Sequence, residues 1–304
     1  MAQRNQQDLA GPVEPKTPAW LVEAVRLAKQ GEGSERVKAT SELLERLGLS
    51  TVCVDARCPN RGQCFSHQTA TFLILGDVCT RKCRFCAVHH GRPLGPPAAD
   101  EPERLARAVH ELGLSHVVVT SVTRDDLTDG GSDHYAQVVT ALRRCCPGVK
   151  VELLIPDYHG SQEALMTVLK SQPDILGHNL ETVPRLYPEV RRGADYRLSL
   201  HLLRQAKAKA PHVVTKSGLM LGLGETENEI EAVLDDLVGA QCDMLTLGQY
   251  LTPSLGHAPV MRYVEQDEFH CWRERALEKG FKSVAAGSLV RSSYKASLQF
   301  RDMT

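Results

Sequence analysis

A chain of 304 residues with 42% hydrophobic and 24% charged residues can bury one large core with appendages, and its composition is that of neither a disordered nor a fibrous protein. A formal net charge of -1 supplies no basic field for nucleic acid, and no apolar run approaches the ~18 residues of a membrane span. Ten cysteines and a polar N-terminus lacking a signal-peptide core or transit pattern point to the cytoplasm, where thiols act as ligands or catalysts and do not build a disulfide framework.

Residues 1–17 read as a disordered tail. Helical spacing follows in PAWLVEAVRLA and SERVKATSELLERLGL, the second opened by Ser34 as N-cap. The stretch 52–67 is rich in cysteine and punctuated by Pro and Gly, which predicts an irregular loop shaped by its ligands. From there the pattern alternates. TATFLILG, HVVVTSV, KVELLIP, DILGHNLE, VVTKSGLMLGL and DMLTLGQY read as strands, each followed by a helical segment, and a short KSVAAGS precedes the tail. Six strand–helix units imply a parallel sheet with right-handed crossovers. No glycine fingerprint follows the first strand, and chemistry-bearing residues recur just after strands, so an α/β partial (β/α)6 TIM-type barrel is expected over an open doubly wound sheet. The implied divisions are an extension over 18–68, the barrel over 69–288 and a tail over 289–304.

The run CTRKCRFC places Cys79, Cys83 and Cys86 in one loop after the first long strand. All-thiolate sites normally use four ligands, and no fourth cysteine is near. C-x3-C-x2-C tethers three irons of a 4Fe–4S cubane and leaves the fourth open to a small chelating ligand. S-adenosylmethionine suits that place through its amino and carboxylate groups, and reductive cleavage of its sulfonium yields a deoxyadenosyl radical. A zinc knuckle is the plainer alternative, but it pairs C-x2-C hairpins in a closed site. Upstream, Cys53, Cys58 and Cys64 form a second trio, spaced C-x4-C-x5-C. Alone it suits zinc or iron; beside a radical-generating cluster a second iron–sulfur centre is favoured.

The runs ARCPN, GDVCTRKCRFCAV, TSVTRDDLTDGG, HNLETVPRLY, TKSGLMLGLGET, LTLGQYLTPS and VRSSY together resemble the lipoyl synthases, a family of radical S-adenosylmethionine enzymes, over nearly everything from residue 50 onward. Biotin synthases share neither the upstream trio nor the terminal RSSY. The resemblance implies two 4Fe–4S clusters and insertion of two sulfurs at the sixth and eighth carbons of an octanoyl chain held on a carrier lysine, with the upstream cluster as sacrificial sulfur source. It implies Ser293, the second serine of RSSY, as that cluster's fourth ligand. The implied partners are octanoylated carrier domains (2-oxoacid dehydrogenase acyltransferase subunits and the glycine cleavage H protein), a ferredoxin- or flavodoxin-type reductant and a cluster-assembly carrier. Arg192 and Ser288 stand where proline is expected, and Gly177 where a bulkier apolar residue is.

Asn179 and Glu181 alternate at a predicted strand end, placed to bind the ribose hydroxyls of S-adenosylmethionine as a similar pair does in biotin synthase, or simply to face water. Thr120 and Ser121 end the second strand, where related enzymes contact the methionine amino group; loop hydrogen bonds are the alternative. Lys216 and His257 could meet the carrier or the active site, with solvated positions favoured, and Arg291 reads as a counter-charge for an anionic cluster or as a surface ion pair. Cys145, Cys146, Cys242 and Cys271 lack ligand spacing. Two other functional classes compete with the enzyme: an iron–sulfur electron carrier or redox sensor, and a zinc-stabilised interaction domain. Neither needs an open iron corner or a large barrel.

Overall fold

The computed structural model describes residues 15–29, 33–67 and 69–301. The expected disordered tail lies outside these residues up to position 14; beyond it, Thr17 Oγ1 sits 3.0 Å from the Tyr263 hydroxyl.

An eight-stranded sheet runs in chain order: β1 (Ser50–Thr51), β2 (Thr71–Ile74), β3 (His116–Ser121), β4 (Lys150–Leu154), β5 (Ile175–Gly177), β6 (Val214–Leu221), β7 (Met244–Gln249) and β8 (Ser283–Gly287). β1 is antiparallel to β2, and every later pair is parallel. Because β8 does not pair back with β1 or β2 among the described residues, the sheet is an unclosed TIM-type barrel. The crossover helices are α5 (Glu101–Glu111), α6 (Ser132–Cys145), α7 (Gln162–Lys170), α9 (Tyr196–Lys209), α10 (Glu227–Gly239) and α11 (Gln266–Lys279). Around them stand α1 (Ala19–Ala28), α2 (Glu35–Arg46), α3 (Val52–Asp55), α4 (Arg61–Ser66), α8 (Tyr187–Val190) and α12 (Ala296–Arg301). No helix among the described residues is long and apolar enough to cross a membrane.

Local chemistry explains the helix starts. Ser34, Ser161 and Asp195 accept from backbone N–H groups in the first turns of α2, α7 and α9, and Thr226 with Glu229 forms a reciprocal cap on α10. Alternate strand residues then face the helices: Val117 and Val119 pack with Leu105, Val109, Tyr135 and Leu142 in one apolar layer. A second layer joins Leu203, Ile230, Leu234, Leu245, Leu247, Phe269 and Trp272 on the other side.

Two expectations change. The cysteine-rich stretch is not irregular: Cys53 lies on α3 and Cys64 on α4, separated by a turn in which Arg57 has φ +52. β5 ends at Gly177, so Asn179 and Glu181 lie beyond the strand; Glu181, with φ +67, bridges to Leu219. That left-handed residue ends regular pairing before the predicted strand is complete.

After β8 the tail turns back along the opening. Gly248, on β7, lies under Val290; a Cβ there would meet the Val290 carbonyl oxygen at 2.2 Å. Further on, α12 contacts both β8 and β3, and the Phe300 ring meets His116 edge-on at 6.1 Å. His116 and Lys150 begin β3 and β4, so α12 covers the N-terminal end of the barrel.

Candidate active site

The loop carrying Cys79, Cys83 and Cys86 leaves the C-terminal end of β2 through Leu75 and Gly76, at φ +69 and +92. Neighbouring segments pin it. The Cys79 N–H donates to His89 O at 2.8 Å, and the Gly91 N–H returns to Cys79 O at 2.9 Å. The Thr123 N–H donates to Cys79 Sγ at 3.3 Å, while the Arg84 N–H reaches Val190 O at 2.8 Å. His257 is not solvated as expected: its Nε2 lies 3.1 Å from Cys86 O and its Nδ1 2.8 Å from Ser254 Oγ.

Arg81, inside the loop, makes the strongest anchor. Its guanidinium is bidentate to Asp157 at 2.5 and 2.6 Å and to Asp125 at 2.9 and 3.0 Å. Burial alone would raise the Asp157 carboxyl, but the Arg81 hydrogen bonds and charge hold it down, to about 2. Burial pushes the Cys83 thiol up to about 12, partly opposed by the Arg191 charge and reinforced by Cys86, Cys79 and Glu181. The Cys86 thiol is pushed up to about 11, again by burial first and then by Cys79 and Glu181 among the charges. The three thiols therefore share one field.

The upstream trio behaves alike. Burial pushes Cys53 up to about 11 and Cys64 up to about 12; Cys58 acts on both, and Cys53 on Cys64. Hydrogen bonds from Thr71 oppose the rise at Cys53, and the Lys295 charge opposes it at Cys64. The C-terminal tail is stitched onto this trio. Thr71 Oγ1 donates to Ser293 Oγ at 2.7 Å, Asn60 Nδ2 to Leu289 O at 2.7 Å, and the Tyr294 hydroxyl to Gln63 Oε1 at 3.0 Å. Ser293 and Cys53 thus meet at the same threonine.

Ser292 faces elsewhere. It accepts from Asn179 Nδ2 at 2.6 Å, and that amide also donates to Glu181 Oε1 at 3.0 Å. A Cβ on Gly218 would meet Thr246 Oγ1 at 2.6 Å, Asn179 Oδ1 at 3.0 Å and Ser292 Oγ at 3.2 Å, so only glycine leaves this interior position open. Burial raises the Glu181 carboxyl against Arg191, Asn179 and Arg291. Arg291 is lowered by burial and is acted on by both Cys58 and Glu181. Glu181 and Arg291 therefore lie between the two trios. Thr120 Oγ1 donates to Leu154 O at 2.9 Å, and Ser121 lies beside the Tyr135 hydroxyl.

The sequence reading missed Arg81, Asp157, Arg191 and Thr71. Arg81 signalled itself only as a charge inside a ligand loop; its partners lie 44 and 76 residues away. Lys216, expected to be solvated, is 1% exposed and paired with Glu152 at 2.8 Å, near the N-terminal end of the barrel. Cys145 and Cys271 are exposed and Cys242 is buried. The field at Cys146, apart from burial, comes from Cys145 and from neither trio.

Among the described residues no three His, Cys, Asp or Glu side chains form a ready site for a single metal ion. A cubane makes a different demand, with each thiolate taking its own iron, and three soft donors in a shared buried field fit that group at both places. The elevated thiols would be ionised by metal binding itself.

An unclosed parallel barrel with a three-thiol loop after its first parallel strand defines the radical S-adenosylmethionine class, and the Radical SAM superfamily profile matches residues 73–237. Among solved structures, methylornithine synthase aligns at a TM-score of 0.54 with 13% identity, covering 86% of this chain and 74% of that one. Streptococcus suis SuiB aligns at 0.54 with 14% identity, and this chain spans about half of its length (52%). These likenesses concern the fold. Curated relatives are nearer: lipoyl synthase of Caldanaerobacter subterraneus subsp. tengcongensis is 50% identical over 93% of this chain and 96% of its own. That of Methylococcus capsulatus is 53% identical over 94% and 88%, and that of Laribacter hongkongensis 46% over 100% and 99%. The chain belongs to the lipoyl synthase family.

Proposed function

We propose that this chain inserts two sulfur atoms at the sixth and eighth carbons of an octanoyl group carried on the lysine of a lipoyl carrier protein. The observation that carries the reading is the pair of three-thiol sites joined by one tail segment, with Ser293 at the upstream trio and Ser292 in the barrel. When bound, the cluster at Cys79, Cys83 and Cys86 with S-adenosylmethionine supplies hydrogen-abstracting radical chemistry, and the cluster at Cys53, Cys58 and Cys64 supplies sulfur.

The chain's own residues hold and shield these groups. Arg81 fixes the first thiol loop against Asp157 and Asp125. In this reading Asn179 and Glu181 are assigned to the ribose hydroxyls, with Thr120 and Ser121 assigned to the methionine end of the cofactor. Ser293 supplies the fourth ligand of the upstream cluster through its oxygen, a harder and more labile donor than thiolate. In this reading residues 18–68 form the auxiliary-cluster extension, 69–288 the radical barrel and 289–304 the tail that closes the second site. A reductant of ferredoxin or flavodoxin type and a cluster-assembly carrier complete the partners, and the six ligand thiols suit a reducing cytoplasm.

The test is mass spectrometry of an octanoyl-lysyl peptide after anaerobic incubation with reconstituted, reduced enzyme and S-adenosylmethionine. Cys79→Ala, Cys83→Ala or Cys86→Ala is expected to abolish deoxyadenosine formation. Cys53→Ala, Cys58→Ala or Cys64→Ala is expected to spare it and stop sulfur insertion. Lipoyl product from Cys53→Ala enzyme would break this division of labour, and an electron carrier would cleave no S-adenosylmethionine.

A further inference from the structure

Two leucines stand fully in solvent. Leu94 is 105% exposed and Leu255 is 101% exposed, where the other exposed large apolar residues among the described residues reach 55% at most. Single exposed leucines are ordinary; the placement of these two is not. Each sits on a loop hydrogen-bonded to the thiol loop: the first through the Gly91 N–H on Cys79 O, the second through His257 on Cys86 O and the Ala258 N–H on Arg84 O at 2.8 Å. Both leucines therefore stand on loops packed against Cys79–Cys86, beyond the C-terminal end of β2. Prolines restrict the backbone of both loops, in GRPLGPP and LTPSLGHAP.

The charge beside Leu94 is basic, while the Leu255 loop carries neither Lys nor Arg and Arg84 is paired with the exposed Glu189 at 3.8 Å. Between residues 78 and 99 stand Arg81, Lys82, Arg84 and Arg92 and no acidic residue, and the loop 250–261 has no acidic residue either. Arg81 is consumed internally, and Lys82, His89, His90 and Arg92 are exposed. The nearby carboxylates of Asp125 and Asp126 are engaged by Arg81 and Arg124.

Resting on the proposed sulfur insertion, we infer that this face is the docking surface for the carrier domain. Leu94 and Leu255 meet apolar contacts of the carrier around the octanoylated lysine, and the basic side at Lys82 and Arg92 meets carrier carboxylates. The lysine arm is short and its chain must reach the barrel interior, so the carrier must seat itself at the mouth, beside the thiol loop. Electrostatic complementarity steers and orients that encounter, while the two leucines supply contact area.

The test compares two substrates with reconstituted full-length enzyme in single-turnover lipoyl formation: an octanoylated carrier domain and a short octanoyl-lysyl peptide. Burying one leucine is worth about tenfold in affinity, so Leu94→Ser with Leu255→Ser should raise the half-saturating carrier concentration by up to about a hundredfold. Arg92→Glu should raise it further, with an effect that shrinks at high salt. Peptide turnover should stay within about twofold of wild type, which also shows that the variants fold. Unchanged carrier saturation, or an equal loss with both substrates, would overturn the docking surface. So would slower S-adenosylmethionine cleavage with a protein reductant but not with dithionite, which would give the face to the reductant. A leucine-dependent dimer of the enzyme alone would give it to a second copy. Wild-type enzyme that lipoylates neither substrate would instead overturn the sulfur-insertion reading itself.

Discussion

Arg81→Met tests whether a buried ionic clamp holds the first thiol loop. The Arg81 side chain is 8% exposed and that of Asp157 1%, so removing the guanidinium leaves a carboxylate buried without its cation. Breaking one side of such a pair costs about 3–5 kcal/mol. A second route gives a compatible figure. Burial works to raise Asp157, yet Arg81 brings it from 3.8 to about 2, and a shift of that size is worth about 2 kcal/mol at neutral pH. The folded-state value is depressed, so this share is present in full above about pH 4 and disappears as pH falls through about 2. Arg81 also serves Asp125, which brings the total into the upper range. Urea unfolding of the metal-free chain at pH 7 should show Arg81→Met less stable by about 3–5 kcal/mol and Asp157→Asn by about 2 kcal/mol. The double variant should lose far less than the sum, because the two residues act as a unit. On reconstitution, Arg81→Met should lose iron and deoxyadenosine formation at the Cys79 site while keeping the upstream cluster. An Arg81→Met chain within about 1 kcal/mol of wild type, or strict additivity with Asp157→Asn, would refute the clamp.

Ser293→Ala should keep deoxyadenosine formation and lose most lipoyl product, with Ser292→Ala much milder; the reverse order would move the upstream ligand one residue back. Gly248→Ala places a Cβ 2.2 Å from Val290 O, so it should displace the tail and lower lipoyl yield more than deoxyadenosine yield; an unchanged ratio would show the tail yields without consequence. Lys216→Met should cost about 3–5 kcal/mol in urea unfolding, since Glu152 is buried beside it, whereas Lys216→Met with Glu152→Leu should recover most of that. Burial works to raise the Glu152 carboxyl, and Lys216 first and His116 second hold it down, so without Lys216 it rises; the penalty should shrink as pH falls and Glu152 gains a proton, and a penalty independent of pH would contradict this.

What the sequence disclosed and what it withheld divide along contact range. Thiol spacing is local, so both trios are legible in the sequence, and the period-two and 3.6-residue patterns place six strand–helix units. The short helices around Cys53 and Cys64 were hidden because Pro and Gly signals mask single turns of helix. The early end of β5 was hidden because nothing in HNLE announces a left-handed Glu181. Lys216 looked like a solvated cation because its partner, Glu152, lies 64 residues earlier on another strand. Arg81, within CTRKCRFC, is hidden for the same reason: its partners lie 44 and 76 residues away. Charged residues inside a parallel barrel become readable only when the register that pairs them is known.

The tail shows most plainly how distance in sequence conceals a site. Ser292 and Ser293 are neighbours in a turn closed by the Tyr294 N–H on Arg291 O, and their side chains take different partners. One meets Asn179 in the barrel, and the other meets Thr71 beside Cys53. Arg291, just before them, is acted on by Cys58 from one trio and by Glu181, which itself acts on Cys83 and Cys86 of the other. Arg291, Ser292 and Ser293 thereby join the surroundings of both cysteine trios within one short segment. A closed barrel would have left no opening along which such a segment could pass. The missing β8–β2 pairing is therefore part of the site: it lets the last residues of the chain reach a cysteine trio contributed by its first third.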